Sequence, residues 1–215
     1  MNALLLGEGN SDRCLLAPIR WVLQQATADQ WSLHFVDPAR TGGGTLTEKI
    51  AQIEPCDLLF VHRDRDRATV QDRVGEIADA VGARRHVPVV PVRALEAWLL
   101  LDEAAIRTAA GRPAGTESLD LPPPNRVEQE PDPKGRLRRA LLAACGSGRV
   151  RARFRADVAV YRVADLVDDW SGHRRLDAFV RLEADTRAAL AACAGRAEES
   201  VEPRSHGGAR GGRED

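Results

Sequence analysis

The chain reads as an α/β protein: a mostly parallel sheet flanked by helices, followed by a helical C-terminal part. Two features predict this class. Short apolar runs alternate with segments of helical spacing in the order β-α-β-α-β-α-β, the pattern of a sheet covered on both faces. Beyond residue 94 only helical patterns recur.

Ala3–Leu6 is a short apolar run ending at Gly7, a buried strand and its turn. From about Asp12 to Ala26, Leu15, Leu16, Ile19, Val22 and Leu23 recur at helical spacing, with Asn10 or Ser11 as N-cap. Trp31–Val36 alternates as a strand does, Thr41–Gly44 is a glycine-rich loop, and Leu46–Ile53 is a short helix. Asp57–His62 is a second buried strand that runs into Arg63-Asp64-Arg65-Asp66. A helix over about Ala68–Val81 and a strand over His86–Val90 follow. Ala94–Ala110 reads as one helix with Leu95, Trp98, Leu99 and Leu101 on its apolar side. Residues 111–133, rich in proline and glycine, form a long loop or lid. Helices are expected over Gly135–Ala144, about Ala156–Asp169 and Arg174–Ala194. Residues 1–195 then form a single domain. Residues 196–215, glycine-rich and charged with almost no apolar side chains, are expected to be a disordered tail.

Composition narrows the functional classes. A hydrophobic fraction of 43% with 29% charged residues describes a soluble globular chain. The longest apolar run, residues 87–101, is broken by Pro88, Pro91, Arg93 and Glu96 and is too short to span a bilayer. The start, with three leucines running into Gly7-Glu8, lacks the pattern of a signal peptide, so a cytoplasmic location is expected. Cys14, Cys56, Cys145 and Cys193 show no CxxC spacing and read as small apolar residues. The net charge of −1 announces no polyanion binder, but from Lys134 to Arg162 nine basic residues stand against a single acid, Asp157. That stretch is either a phosphate-contacting surface or a solvated helix face.

The chemistry gathers at strand ends, where open α/β sheets bind their ligands. Glu8 follows the first strand and Asp64-x-Asp66 the third. Their carboxylates are hard oxygen ligands suited to Mg²⁺ or Mn²⁺, and a divalent cation relieves the repulsion among crowded acids. Glu8 would serve as a third ligand or as a general base. The competing reading of Arg63-Asp64-Arg65-Asp66-Arg67 is a surface charge ladder. Asp12 lies one helical turn beyond Glu8, within reach of the same ion, or is a helix N-terminal acid stabilised by the dipole. Glu96 sits among Leu95, Trp98 and Leu99 and needs a partner, either a metal or an arginine. Only two of the 31 basic side chains, Lys49 and Lys134, are lysine. A compact ammonium at Lys134 suits charge neutralisation in phosphoryl transfer, though a surface lysine is the plainer alternative. His34, His62, His86, His173 and His206 lack ligand spacing, and His62 reads as a packed strand side chain. The Gly42-Gly43-Gly44 loop lacks the Lys-Ser/Thr of a P-loop.

Glu8-Gly9 after a strand, then an apolar strand closing on Asp64-x-Asp66, resembles the Toprim fold of topoisomerases, bacterial primases and OLD-type nucleases. Val92 to Asp102, followed by Asp132-Pro133-Lys134, resembles more narrowly the Toprim-like DUF4276 proteins. The resemblance covers about residues 3–145. It implies a metal-dependent nuclease acting on DNA or RNA in anti-phage defence beside a partner ATPase. It further implies that Glu8, Asp12, Asp64 and Asp66 bind metal, that Glu96 completes a second metal position and that Lys134 is the catalytic cation. OLD-type nucleases usually carry Glu where this chain has Asp12, which shortens the reach to metal. A non-cutting subunit that senses nucleic acid or nucleotide and regulates an ATPase is the alternative. Topoisomerase work is disfavoured because the sole tyrosine is Tyr161, and primase work because no zinc-binding region is present.

Overall fold

The computed structural model describes residues 1–37, 41–92 and 94–199, the side chains of 193–199 excepted. Four strands, β1 (Asn2–Leu6), β2 (Ser32–Val36), β3 (Leu58–His62) and β4 (His86–Val89), form an all-parallel sheet in the order β2-β1-β3-β4. Leu6 pairs with Val36 on one side and with Val61 on the other. The chain therefore leaves β1 toward β2 and later returns to its opposite edge. The crevice between the carboxyl ends of β1 and β3 is the point where the winding reverses, the usual ligand position in such sheets.

Strand alternation sends Ala3, Leu5, Leu58, Phe60, Val87 and Val89 to one face, and Leu6, Leu59 and Val61 to the other. The second face is covered by α2 (Leu46–Ala51) and α3 (Val70–Val81) through Ile50, Ile77 and Val81. Both helices open with a capping box, Thr45 with Glu48 and Thr69 with Asp72, which satisfies their first N–H groups. The first face carries the larger core. It buries α1 (Leu16–Ala26) together with α4 (Glu96–Leu99), α5 (Glu103–Ala109), α6 (Pro133–Ala144), α8 (Ala156–Asp165) and α9 (Asp177–Glu199). The expected α/β architecture with a helical C-terminal part is what the chain adopts.

Several boundaries differ from expectation. Asn10–Leu15 is a 3₁₀ turn leading into α1, and α7 (Gly148–Arg153) is a short helix within the basic stretch. The single helix expected over Ala94–Ala110 is two. Asp102 leaves helical geometry and its side chain accepts from the Ala105 N–H, so a cap sits inside an apolar run and starts α5 afresh. The long 111–133 segment contains a 3₁₀ turn at Pro124–Gln129. It is tied to α6 through Arg136, which pairs with Glu130 and Asp120. Helix α9 continues through Glu199, and the rest of the expected tail, like Arg93, lies outside the described residues. No helix among the described residues is long and apolar enough to cross a membrane. Cys14 and Cys145 are buried, and burial, aided by the nearby charge of Glu96, pushes the Cys14 thiol up to about 12. Cys14 is therefore held as an unreactive thiol.

His173 fastens the short α4 to the C-terminal layer. Its Nε2–H donates to the Trp98 carbonyl at 2.9 Å, and its ring packs on Trp170 and Phe179. Burial holds this imidazole below its ordinary range. Between that lowered value and the unfolded value of about 6.5 the unfolded chain binds the extra proton, so stability rises with pH in this window and is flat above it. Urea unfolding at pH 7.5 and pH 5.5 should show a loss on acidification that His173→Gln, which keeps a donor but does not titrate, substantially reduces. An equal loss in the variant would assign the acid sensitivity elsewhere.

Candidate metal centre at the β1 and β3 strand ends

The turn after β1 is shaped by Gly7 and Asp12. The Asp12 carboxylate is buried against the chain before it, accepting from the Glu8 N–H at 2.7 Å and the Gly9 N–H at 3.1 Å through Oδ2. Ser11 Oγ approaches its Oδ1 at 3.2 Å. A Cβ on residue 7 would lie 2.8 Å from Asp12 Cβ and 3.1 Å from the Phe35 ring, so only glycine lets the carboxylate close onto this turn. Asp12 thereby fixes where Glu8 projects.

Glu8 reaches across to the next strand end. Its Oε2 accepts from the Asp64 N–H at 2.9 Å, and its Oε1 pairs with Arg63 at 2.5 Å. Asp64 Oδ1 stands 3.5 Å from His62 Nε2, and its Oδ2 stands 3.9 Å from Lys134 Nζ. His62 is the last residue of β3, on the same face as Leu58 and Phe60 and 1% exposed. Its Nδ1 lies 2.9 Å from the Val89 carbonyl, and its Nε2 lies 3.7 Å from Asp12 Oδ2. Ligand atoms of Glu8, His62 and Asp64 all fall within 4.8 Å of one another, a group that can hold a metal ion. The Asp64 carboxyl is held below the usual range by the His62 ring beside it, against the opposing effect of burial, with help from Lys134 and Arg63. His62 goes the other way. Burial disfavours its charged form, but Asp64, Asp12 and the Val89 carbonyl outweigh it and raise its pKa.

No family model, curated protein or solved structure matches the chain. The chemistry therefore has to be read from the side chains themselves.

Two expected ligands do not join the group. Asp66 sits in a turn at φ 49, its side chain 71% exposed and paired with Arg73 at 3.3 Å. The chain does bend past the end of β3, but the bend turns the Asp66 carboxylate to Arg73 and leaves it outside the group of Glu8, His62 and Asp64. Asp66 instead closes a surface ladder running Glu8–Arg63–Glu76–Arg73–Asp66. The charge-ladder reading fits Asp66, while Asp64 faces the site. Asp12, the second, has Oδ2 engaged by two backbone N–H groups, and it braces the turn from behind His62.

Glu96 is buried at the start of α4; among the described residues it has no arginine partner and its Oε2 has no hydrogen-bond partner. Burial pushes this carboxyl up, and the charges of Asp64 and Asp12 push it further, opposed by its own backbone N–H and Lys134. These terms put Glu96 within electrostatic range of the same cluster although outside the three-residue group. The donors fit a divalent cation in kind: carboxylate oxygens and one imidazole nitrogen, with two buried polar atoms that lack partners among the described residues.

Lys134 is the second residue of α6, between Pro133 and Gly135, with Asp132 capping the Gly135 N–H at 2.9 Å. A Cβ on residue 135 would collide with the Asp132 carboxylate, so this cap too depends on glycine. A cation in the first turn opposes the helix dipole. Stability alone does not explain Lys134 there, whereas an anion bound at the helix start would. Lys134 lines an open cleft of about 290 Å³ with Asp64, Asp66 and Val92.

Sequence reasoning missed His62. The available signal was its position, the final residue of a buried strand two places before Asp64, where alternation turns it toward the face occupied by Glu96 and Asp12.

Proposed function

We propose that the chain is a divalent-metal-dependent nuclease that cleaves nucleic-acid phosphodiesters in the cleft between Asp64 and Lys134. The observation that carries this reading is the meeting of Glu8 and Asp64 from two strand ends around the unpartnered His62 Nε2, with a lysine 3.9 Å from Asp64 on the open side. A divalent ion bound there would supply Lewis acidity toward a phosphoryl oxygen and would lower the pKa of water. Glu8 and Asp64 would hold it, with Asp12 fixing the Glu8 backbone. Glu96, whose Oε2 lacks a partner among the described residues, would supply the position for a second ion.

Lys134 brings its ammonium to the charge that develops on the phosphoryl oxygens, together with the N–H groups of the α6 start. Arg138, four residues on, shares that side of the helix. Arg149, Arg151 and Arg153 on α7 are exposed, and among the described residues neither they nor Arg138 form an ion pair. They suit sequence-independent contact with a phosphate backbone.

The test is cleavage of plasmid DNA, linear DNA and single-stranded RNA with Mg²⁺ or Mn²⁺, against an EDTA control. Lys134→Met should lower kcat by about 10²–10³-fold, the range for loss of one transition-state donor, with the ion's affinity little changed. Wild-type turnover in that variant would remove Lys134 from the mechanism. Intact substrates under every metal condition would remove the nuclease reading itself.

A further inference from the structure

We infer that the Glu8–His62–Asp64 site takes a first-row transition ion such as Mn²⁺ in preference to Mg²⁺, with His62 Nε2 as a direct ligand. This rests on reading the cluster as a metal site and adds the identity of the ion.

The tautomer comes first. A carbonyl oxygen only accepts, so the 2.9 Å contact between His62 Nδ1 and Val89 O places the ring hydrogen on Nδ1. In the neutral ring Nε2 then presents a bare lone pair. It is buried, without a hydrogen-bond partner, and its polar neighbours are Asp64 Oδ1 at 3.5 Å and Asp12 Oδ2 at 3.7 Å. Asp12 Oδ2 is already engaged by the Glu8 and Gly9 N–H groups, so the lone pair on Nε2 and the facing Asp64 oxygen are the pair that a cation would join.

The spacing discriminates between a proton and a metal. A charge-assisted N–H···O bond is about 2.7–2.9 Å long, well short of 3.5 Å. Adjacent ligands bound at about 2.1 Å to one ion stand roughly 3.0–3.5 Å apart, which matches the His62–Asp64 separation. The N–H to carbonyl bond on the far side of the ring is the arrangement that orients metal-ligating histidines. Mg²⁺ prefers an all-oxygen octahedron and sheds water reluctantly, whereas imidazole favours the transition series.

The experiment uses the full chain loaded with Mn²⁺. Pulsed EPR should show nitrogen modulation that changes on labelling with ¹⁵N-histidine, and titration should show Mn²⁺ bound at least about tenfold more tightly than Mg²⁺. His62→Phe should abolish the modulation and most of that preference while changing Mg²⁺ affinity by less than about threefold, with the metal-free melting curve checking the fold. If the phenylalanine variant does not fold, Asp64→Asn takes its place, and loss of the modulation in that variant ties the nitrogen to this site. Absence of histidine modulation in the wild-type chain, its survival in His62→Phe, or equal weakening of both ions would overturn the inference. Modulation without cleavage of any substrate leaves His62 a ligand and removes the nuclease reading. Cleavage without modulation does the reverse.

Discussion

Asp64→Asn should lower metal-dependent cleavage by about a thousandfold, ~4 kcal/mol of transition-state stabilisation at 1.36 kcal/mol per decade, while leaving the thermal midpoint of the metal-free protein close to wild type. The two halves of this result have separate causes. Asparagine keeps the size of the side chain and the backbone N–H that donates to Glu8 Oε2. The contacts its carboxylate makes, 3.5 Å to His62 and 3.9 Å to Lys134, are longer than hydrogen bonds, so little direct bonding is lost. The amide gives up the attraction of His62, Lys134 and Arg63 that holds the Asp64 carboxyl below its usual range, and this loss is offset in part by relief at Glu96, whose carboxyl Asp64 pushes up. The activity loss arises because a neutral amide is a poor partner for a divalent ion and for the Lys134 ammonium. Gel-based cleavage rates and a melting curve on the same preparation check both halves. Cutting at the wild-type rate would exclude Asp64 from the chemistry.

Asp12→Ala has the opposite profile: a large loss of stability before any metal is added, about 2–4 kcal/mol. It deletes two charge-assisted bonds to the Glu8 and Gly9 N–H groups, each of the class worth about 1.5–3 kcal/mol, and leaves those donors beneath a hole. Asp12→Asn retains an acceptor oxygen and should fall between alanine and wild type in urea midpoint. That order separates two roles. A carboxylate whose only task was to ligate metal would repel its neighbours in the metal-free protein, and both substitutions would then leave stability unchanged or raise it. The same turn makes Gly7 sensitive, since any Cβ there meets the Asp12 side chain.

The elements of the sheet were legible because each strand is a short apolar run and each flanking helix a repeating stripe. Leu58–Val61 and the Leu15 to Leu23 series need no tertiary information. Helix α4, four residues all of them buried, shows no polar face to mark a boundary, and α7 buries none of its residues and so carries no apolar stripe. The break at Asp102 went unread because a helix cap and an exposed helical aspartate look alike until the backbone turns. Glu8, Asp64 and Lys134 were legible from position and residue type, and they meet. Glu96 was legible as a buried acid in need of a partner, and its oxygen lacks one among the described residues. That the chain bends after Asp64 was legible, but not that the bend would hand Asp66 to Arg73, a residue of the following helix. His62 was readable as buried, but pattern alone does not say which ring atom finds a partner, and its role turns on Nδ1 meeting Val89 while Nε2 does not.

The central claim is that side chains from the ends of β1 and β3 share one divalent ion. The most direct measurement is an anomalous difference map from crystals of the full chain soaked in Mn²⁺. A peak is predicted between the two strand ends, within about 2.0–2.4 Å of a Glu8 oxygen, an Asp64 oxygen and His62 Nε2. A map with no peak there, Glu8 still held by Arg63 alone and Mn²⁺ bound only elsewhere, would contradict it.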